Sequence, residues 1–97
     1  MKIRRSDRFK EAFKKLDVRL KKKVEKALRL FCQNPYHPSL HTKKMQGVNN
    51  IWEVRVDIHY RFTFDIVDDV YRLRNLDNHD ECVKAYNFIE IVTPPEL

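Results

Sequence analysis

The chain has 97 residues, 42% hydrophobic and 35% charged, with a formal net charge of +6 at pH 7. That length supports one modest core, and the mixture is that of a globular protein, not a disordered one. The lone glycine excludes a Gly-rich phosphate loop and a dinucleotide fingerprint, both of which need several glycines for close backbone approach.

One domain is expected over residues 1–97. The charge is uneven. Residues 1–30 hold 13 Lys/Arg against 4 Asp/Glu, a net +9, and residues 31–97 hold 7 against 10, a net −3. A basic half on a small domain suits a polyanionic partner such as nucleic acid, although a Lys-rich solvated helix face would have the same composition. Cys32 and Cys82 lie far apart, at no metal or disulfide spacing, and read as reduced thiols. "MKIRRSDRFKEAF" has no apolar signal-peptide core, and no stretch is apolar for long enough to span a bilayer. The expected location is the cytoplasm, away from membranes.

Residues 2–5, "KIRR", suit a short edge strand. From Ser6 the period becomes helical, with Phe9, Phe13 and Leu16, then Leu20, Val24, Ala27, Leu28 and Phe31 on one stripe. Ser6 or Asp7 can cap the start. Asp17 can cap a second helix, which predicts helices near 7–16 and 18–33 packed as an antiparallel pair. Pro35 and Pro38 forbid further helix, so 34–50 reads as connector. His37 and His41 are four apart, but Pro38 between them removes the helix a metal pair would need, and no metal is expected.

Strict alternation follows. Trp52, Val54 and Val56 alternate with Glu53, Arg55 and Asp57. Tyr60, Phe62, Phe64 and Ile66 alternate with Arg61, Thr63 and Asp65. Each run is a strand with one buried face, and only Ile58–His59 is left for a hairpin loop. Residues 67–69 turn the chain into "VYRLRNL", and 86–92, "YNFIEIV", offers a further strand or an ordered tail. The predicted fold is α+β, in the order β-α-α-β-β-β(-β), with an antiparallel sheet packed against a helical hairpin.

The second face of the sheet would carry Glu53, Arg55, Arg61, Thr63 and Asp65. A short hairpin brings Arg55 and Arg61 together, and two guanidiniums need negative charge between them. Glu53 and Asp65 can supply it as a cross-strand ladder. So can an external phosphate, which arginine grips with two parallel hydrogen bonds. Lys43 and Lys44 could join the patch, as could Arg72 and Arg74 if they face the same way. His79 follows the last strand, where it is either an ordinary turn residue or the group that moves a proton near neutral pH. Arginines and a histidine suffice for RNA cleavage without metal or cofactor, because RNA carries its own 2′-OH nucleophile.

The ordered set "NPYHPSLHTKKMQG", "IWEVRV", "YRFTFDI" and "YRLRNLDNHD" resembles the RelE/ParE toxin superfamily of type II toxin–antitoxin modules over nearly the whole chain. The resemblance implies the same fold. In its RelE-like branch it implies a ribosome-dependent mRNA endonuclease that needs no metal and is neutralised by a cognate antitoxin. The family's basic strand positions fall on Arg55 and Arg61, and its acid/base or phosphate-binding position falls on His79. Tyr86 is the candidate C-terminal aromatic, and Lys43, Lys44 and Arg74 are candidate phosphate contacts. Glu53 stands where the family carries a lysine. A ParE-like gyrase poison, or a binding protein of the same fold without catalysis, remains as the alternative reading.

Overall fold

The computed structural model describes residues 2–78. Its elements are β1 (Lys2–Arg5), α1 (Asp7–Lys14), α2 (Val18–Gln33), a single 3-10 turn (Pro38–Leu40), β2 (Lys43–Lys44), β3 (Trp52–Arg55), β4 (Tyr60–Val67) and β5 (Val70–Asn78). The strands form one sheet in the order β1-β5-β4-β3-β2. His79, Tyr86 and the strand expected at 86–92 lie outside the described residues.

Both helix starts arise as their sequences require. The Ser6 side chain accepts from the Phe9 N–H, and the Asp17 side chain accepts from the Leu20 N–H, so each satisfies an orphan donor of a first turn. Ser6 also ties α1 to the sheet. Its N–H donates to the Leu73 carbonyl at 3.0 Å, and its hydroxyl donates to the Arg74 carbonyl at 2.7 Å. The preceding strand, β1, runs parallel to β5. The sheet is therefore mixed, where the alternation pattern predicted an antiparallel one.

The core lies between the helices and one face of the sheet. Phe9 of α1 and Phe31 of α2 both meet Phe62 edge-on, at centroid distances of 6.0 and 5.5 Å. Val24, Ala27, Leu40, Val54, Phe64, Leu73 and Leu76 complete the buried cluster. Edge-to-face rings add about 0.5–1.5 kcal/mol beyond area burial, which helps hold a small core in one packing.

Three details depart from the alternation pattern. The connector is not all loop, because Lys43 and Lys44 pair with Glu53 and Trp52 as an edge strand. Regular β3–β4 pairing stops at Arg55↔Arg61, so the hairpin loop spans 56–59. The cause is Asp57, whose Oδ1 accepts from the N–H groups of both His59 and Tyr60 and builds a side-chain turn. Finally, Phe62 and Phe64 pair with Leu76 and Leu73, which sets one residue, Thr63, against two, so β5 carries a bulge at Arg74–Asn75. The β4–β5 turn is short, with Asp68 and Asp69 both at positive φ, as a two-residue hairpin loop demands.

Candidate functional site

The face of the sheet turned away from the helices is built from alternate residues of β3 and β4 with their partners on β2 and β5. It is charged and, unusually, largely buried. Glu53 and Asp65 are each 3% exposed and Arg74 is 5% exposed. Buried charge persists only when it is paired. Here each carboxylate sits between two cations. Glu53 Oε1 lies 3.5 Å from Arg61 Nε and 3.9 Å from Lys43 Nζ. Asp65 receives Arg72 through two parallel bonds of 2.6 Å each, and Arg74 Nη1 at 3.4 Å.

The two-pronged bond is the strong arrangement for a guanidinium and a carboxylate. It also holds the Arg72 proton more tightly. The hydrogen bond and charge of Asp65 push the Arg72 pKa above its ordinary value, with partial burial working the other way. The Arg61 guanidinium is braced as well. Its Nη1 donates to the carbonyls of Asp57 and Tyr60, so the arginine reaches back across the hairpin loop. The result is a row of positioned cations, Lys43, Arg61, Arg72 and Arg74, over two carboxylates, a net +2.

Strand register sorts the expected residues. Arg55 and Arg61 are direct cross-strand partners, so the hairpin does bring them together. Lys43 sits opposite Glu53 and bonds to it, on the charged face. Lys44 sits opposite Trp52, and successive residues of a strand face opposite ways, so Lys44 belongs to the helix side. The two lysines do not add to one patch. Arg74 does face the carboxylates, but it is turned inward at the bulge and engaged with Asp65. Arg72, two residues earlier in β5, is the more open of the two, with a side chain 22% exposed against 6%. Arg72 is the member that sequence reasoning underweighted. Its signal was the opposite charge of Asp65 across a two-residue turn. His79 and Tyr86 lie outside the described residues.

A second electrostatic tie lies at the hairpin. Lys23 Nζ of α2 meets Asp57 Oδ2 at 3.2 Å. Partial burial raises the Asp57 pKa, but the N–H groups of Tyr60 and His59 and the Lys23 ammonium together hold it below the ordinary carboxylate value.

No protein-family model and no curated protein matches this chain by sequence. Solved structures do match its shape. A YoeB/ParE toxin from Agrobacterium tumefaciens superposes with a TM-score of 0.70 at 15% identity, covering 81% of this chain and 99% of that one. The RelB–RelE antitoxin–toxin complex of Methanococcus jannaschii gives 0.69 at 18% identity, covering 86% and 98%. YafQ from Escherichia coli BL21(DE3) gives 0.63 at 16% identity, covering 82% and 94%. The fold is that of the RelE/ParE-like toxins.

Proposed function

We propose that the protein is the toxin of a type II toxin–antitoxin module and that it cleaves mRNA on the ribosome without a metal. The observation that carries this reading is the row of Lys43, Arg61, Arg72 and Arg74 on one sheet face, with cations outnumbering carboxylates. A phosphodiester is the anion such a row suits, because guanidiniums match phosphate oxygens with paired donors. Several of the structures sharing the fold were solved with antitoxins, RelB, DinJ and YefM among them, which supports a cognate antitoxin here.

The chemistry needs little else. The 2′-oxygen attacks the adjacent phosphorus as its proton is taken up. The P–O5′ bond breaks, a proton goes to the leaving 5′-oxygen, and a 2′,3′-cyclic phosphate remains. Arg61, with Arg55 opposite it, would offset the charge that builds on the phosphoryl oxygens. His79 is the candidate for proton transfer, since its ordinary pKa lies near neutrality. Tyr86 would contribute a ring against a base. The basic helical half, remote from this chemistry, would dock on ribosomal RNA backbone and lose affinity steeply with salt.

The test is expression in a bacterial host with labelled methionine and thymidine. Methionine incorporation should fall first. Arg61→Ala should slow RNA cleavage by about 10²–10³-fold, the usual loss for one preorganised electrostatic donor, and His79→Ala should also slow it. A prior fall in thymidine incorporation would favour a gyrase poison. Undiminished arrest by folded Arg61→Ala and His79→Ala would overturn the ribonuclease mechanism.

A further inference from the structure

The loop that joins β3 to β4 has no glycine, and none of residues 56–59 takes a positive φ. It is therefore not one of the tight hairpin turns that a left-handed residue imposes. Hydrogen bonds give it its shape, and most of them meet at Asp57. Asp57 Oδ1 accepts from the His59 N–H at 2.9 Å and from the Tyr60 N–H at 2.8 Å. Asp57 Oδ2 lies 3.2 Å from Lys23 Nζ, which reaches over from α2. On the backbone, the Tyr60 carbonyl accepts from the N–H groups of Val56 and Asp57, at 3.0 and 3.3 Å. One carboxylate thus fixes Tyr60 relative to Asp57 and ties both to a helix.

The same two residues hold Arg61. Its Nη1 donates to the carbonyl of Asp57 and to the carbonyl of Tyr60. Its Nε lies 3.5 Å from Glu53 Oε1 on the neighbouring strand. A guanidinium is planar and donates in fixed directions, so contacts at two of its nitrogens set its plane. The carbonyls stand where Nη1 can reach both only while the loop keeps this shape. An arginine aimed in advance can stabilise charge as it develops, and a shift of about 1 Å in a reacting or stabilising group can cost about a hundredfold in rate.

We infer that Asp57 is a positioning residue for Arg61: its carboxylate builds the loop whose carbonyls hold the guanidinium, and Lys23 steadies that carboxylate from α2. Asp57 acts through Arg61 and is assigned no contact with RNA. Its consequence for cleavage rests on the ribonuclease reading above, while the placement of Arg61 is independent of it. A turn that only stabilised the fold would leave the arginine as ordered, and the folded protein as active, without the carboxylate as with it.

The experiment uses the full chain and two readouts. The first is nitrogen-15 relaxation of the Arg61 Nε–H in the folded protein. Wild type should be ordered there, and Asp57→Ala should drop to the range of a flexible chain, an order parameter below about 0.6. Asp57→Asn keeps an oxygen for both N–H groups and should stay ordered. Asp57→Ser makes this kind of turn more weakly and should fall between, which keeps the test readable if the alanine variant does not fold. The second readout is cleavage of ribosome-bound message. Asp57→Ala should slow the saturated rate by about tenfold or more with the half-saturating ribosome concentration little changed, and Asp57→Asn should recover most of that loss. In an Arg61→Ala background, Asp57→Ala should cost less than about twofold, because the group it positions is gone. An Arg61 side chain that stays ordered in folded Asp57→Ala or Asp57→Ser would overturn the proposal. So would equal losses in the alanine and asparagine variants, or equal slowing with and without Arg61. If wild type cleaves no message, the ribonuclease reading falls, and the order of Arg61 alone decides whether Asp57 positions it.

Discussion

Strand β4 carries two kinds of buried surface on alternate residues. Phe62 and Phe64 point into an aromatic core, and Thr63 and Asp65, one residue along, are as well buried among polar partners. The aromatic face is held by area and ring geometry, which are non-directional and tolerate small shifts. The charged face is held by fixed distances, such as the 2.6 Å pair from Arg72 to Asp65. Removing charge from water costs several kcal/mol per ion, and only good geometry offsets it. A protein that needs only stability gains more from a second apolar face. Retaining charge there holds Arg72 and Arg74 in a fixed arrangement about Asp65.

The largest effect should come from the apolar side. Phe62→Ala removes the ring that Phe9 and Phe31 both meet edge-on, and denaturant unfolding should show a loss of about 3–5 kcal/mol. A loss under about 1 kcal/mol would mean that the core does not centre on this ring. On the charged side, Asp65→Ala leaves Arg72 and Arg74 without their carboxylate. The expected loss is about 3 kcal/mol, at the lower end for breaking a buried pair. If Asp65→Ala proved neutral, the charged face would be poised for a ligand and would contribute little to folding, which sharpens the contrast instead of blurring it.

The smallest effect concerns the hairpin. Asp57→Asn keeps an oxygen for the two N–H groups and loses the charge that faces Lys23, a partly exposed pair contributing about 0.5–1 kcal/mol. Because the Asp57 pKa is lowered in the fold, its contribution is fully present above the unfolded value and disappears as pH falls through the folded one. Wild type should therefore exceed the variant in stability by a constant amount above about pH 5, and the gap should close below about pH 4. Thermal melts across that range would check it, and a gap that widened on acidification would contradict the assignment.

Much of this arrangement is legible in local pattern. The helical stripe, the capping role of Asp17 and the period-two alternation of "WEVRV" and "YRFTFDIV" are short-range signals, and the helices and strands fall where they predict. The opposition of Arg55 and Arg61 follows from the same alternation, because a short hairpin leaves few registers. The cluster of carboxylates between cations was one of two open readings of that face, and Glu53 and Asp65 do occupy it.

Other features depend on contacts between residues far apart in sequence. The pairing of Lys43–Lys44 with β3 decides which lysine joins the charged face, and a two-residue strand has too little pattern to reveal its parity. The bulge at Arg74–Asn75 turns Arg74 inward, and it exists because Leu73 and Leu76 must both reach the core opposite Phe64 and Phe62. The parallel course of β1 lies in its pairing with residues 68 positions away in β5. Periodicity records which face a residue prefers. Register, bulges and strand direction are set by how the elements close on each other, and that information exists only once the sheet and helices have packed.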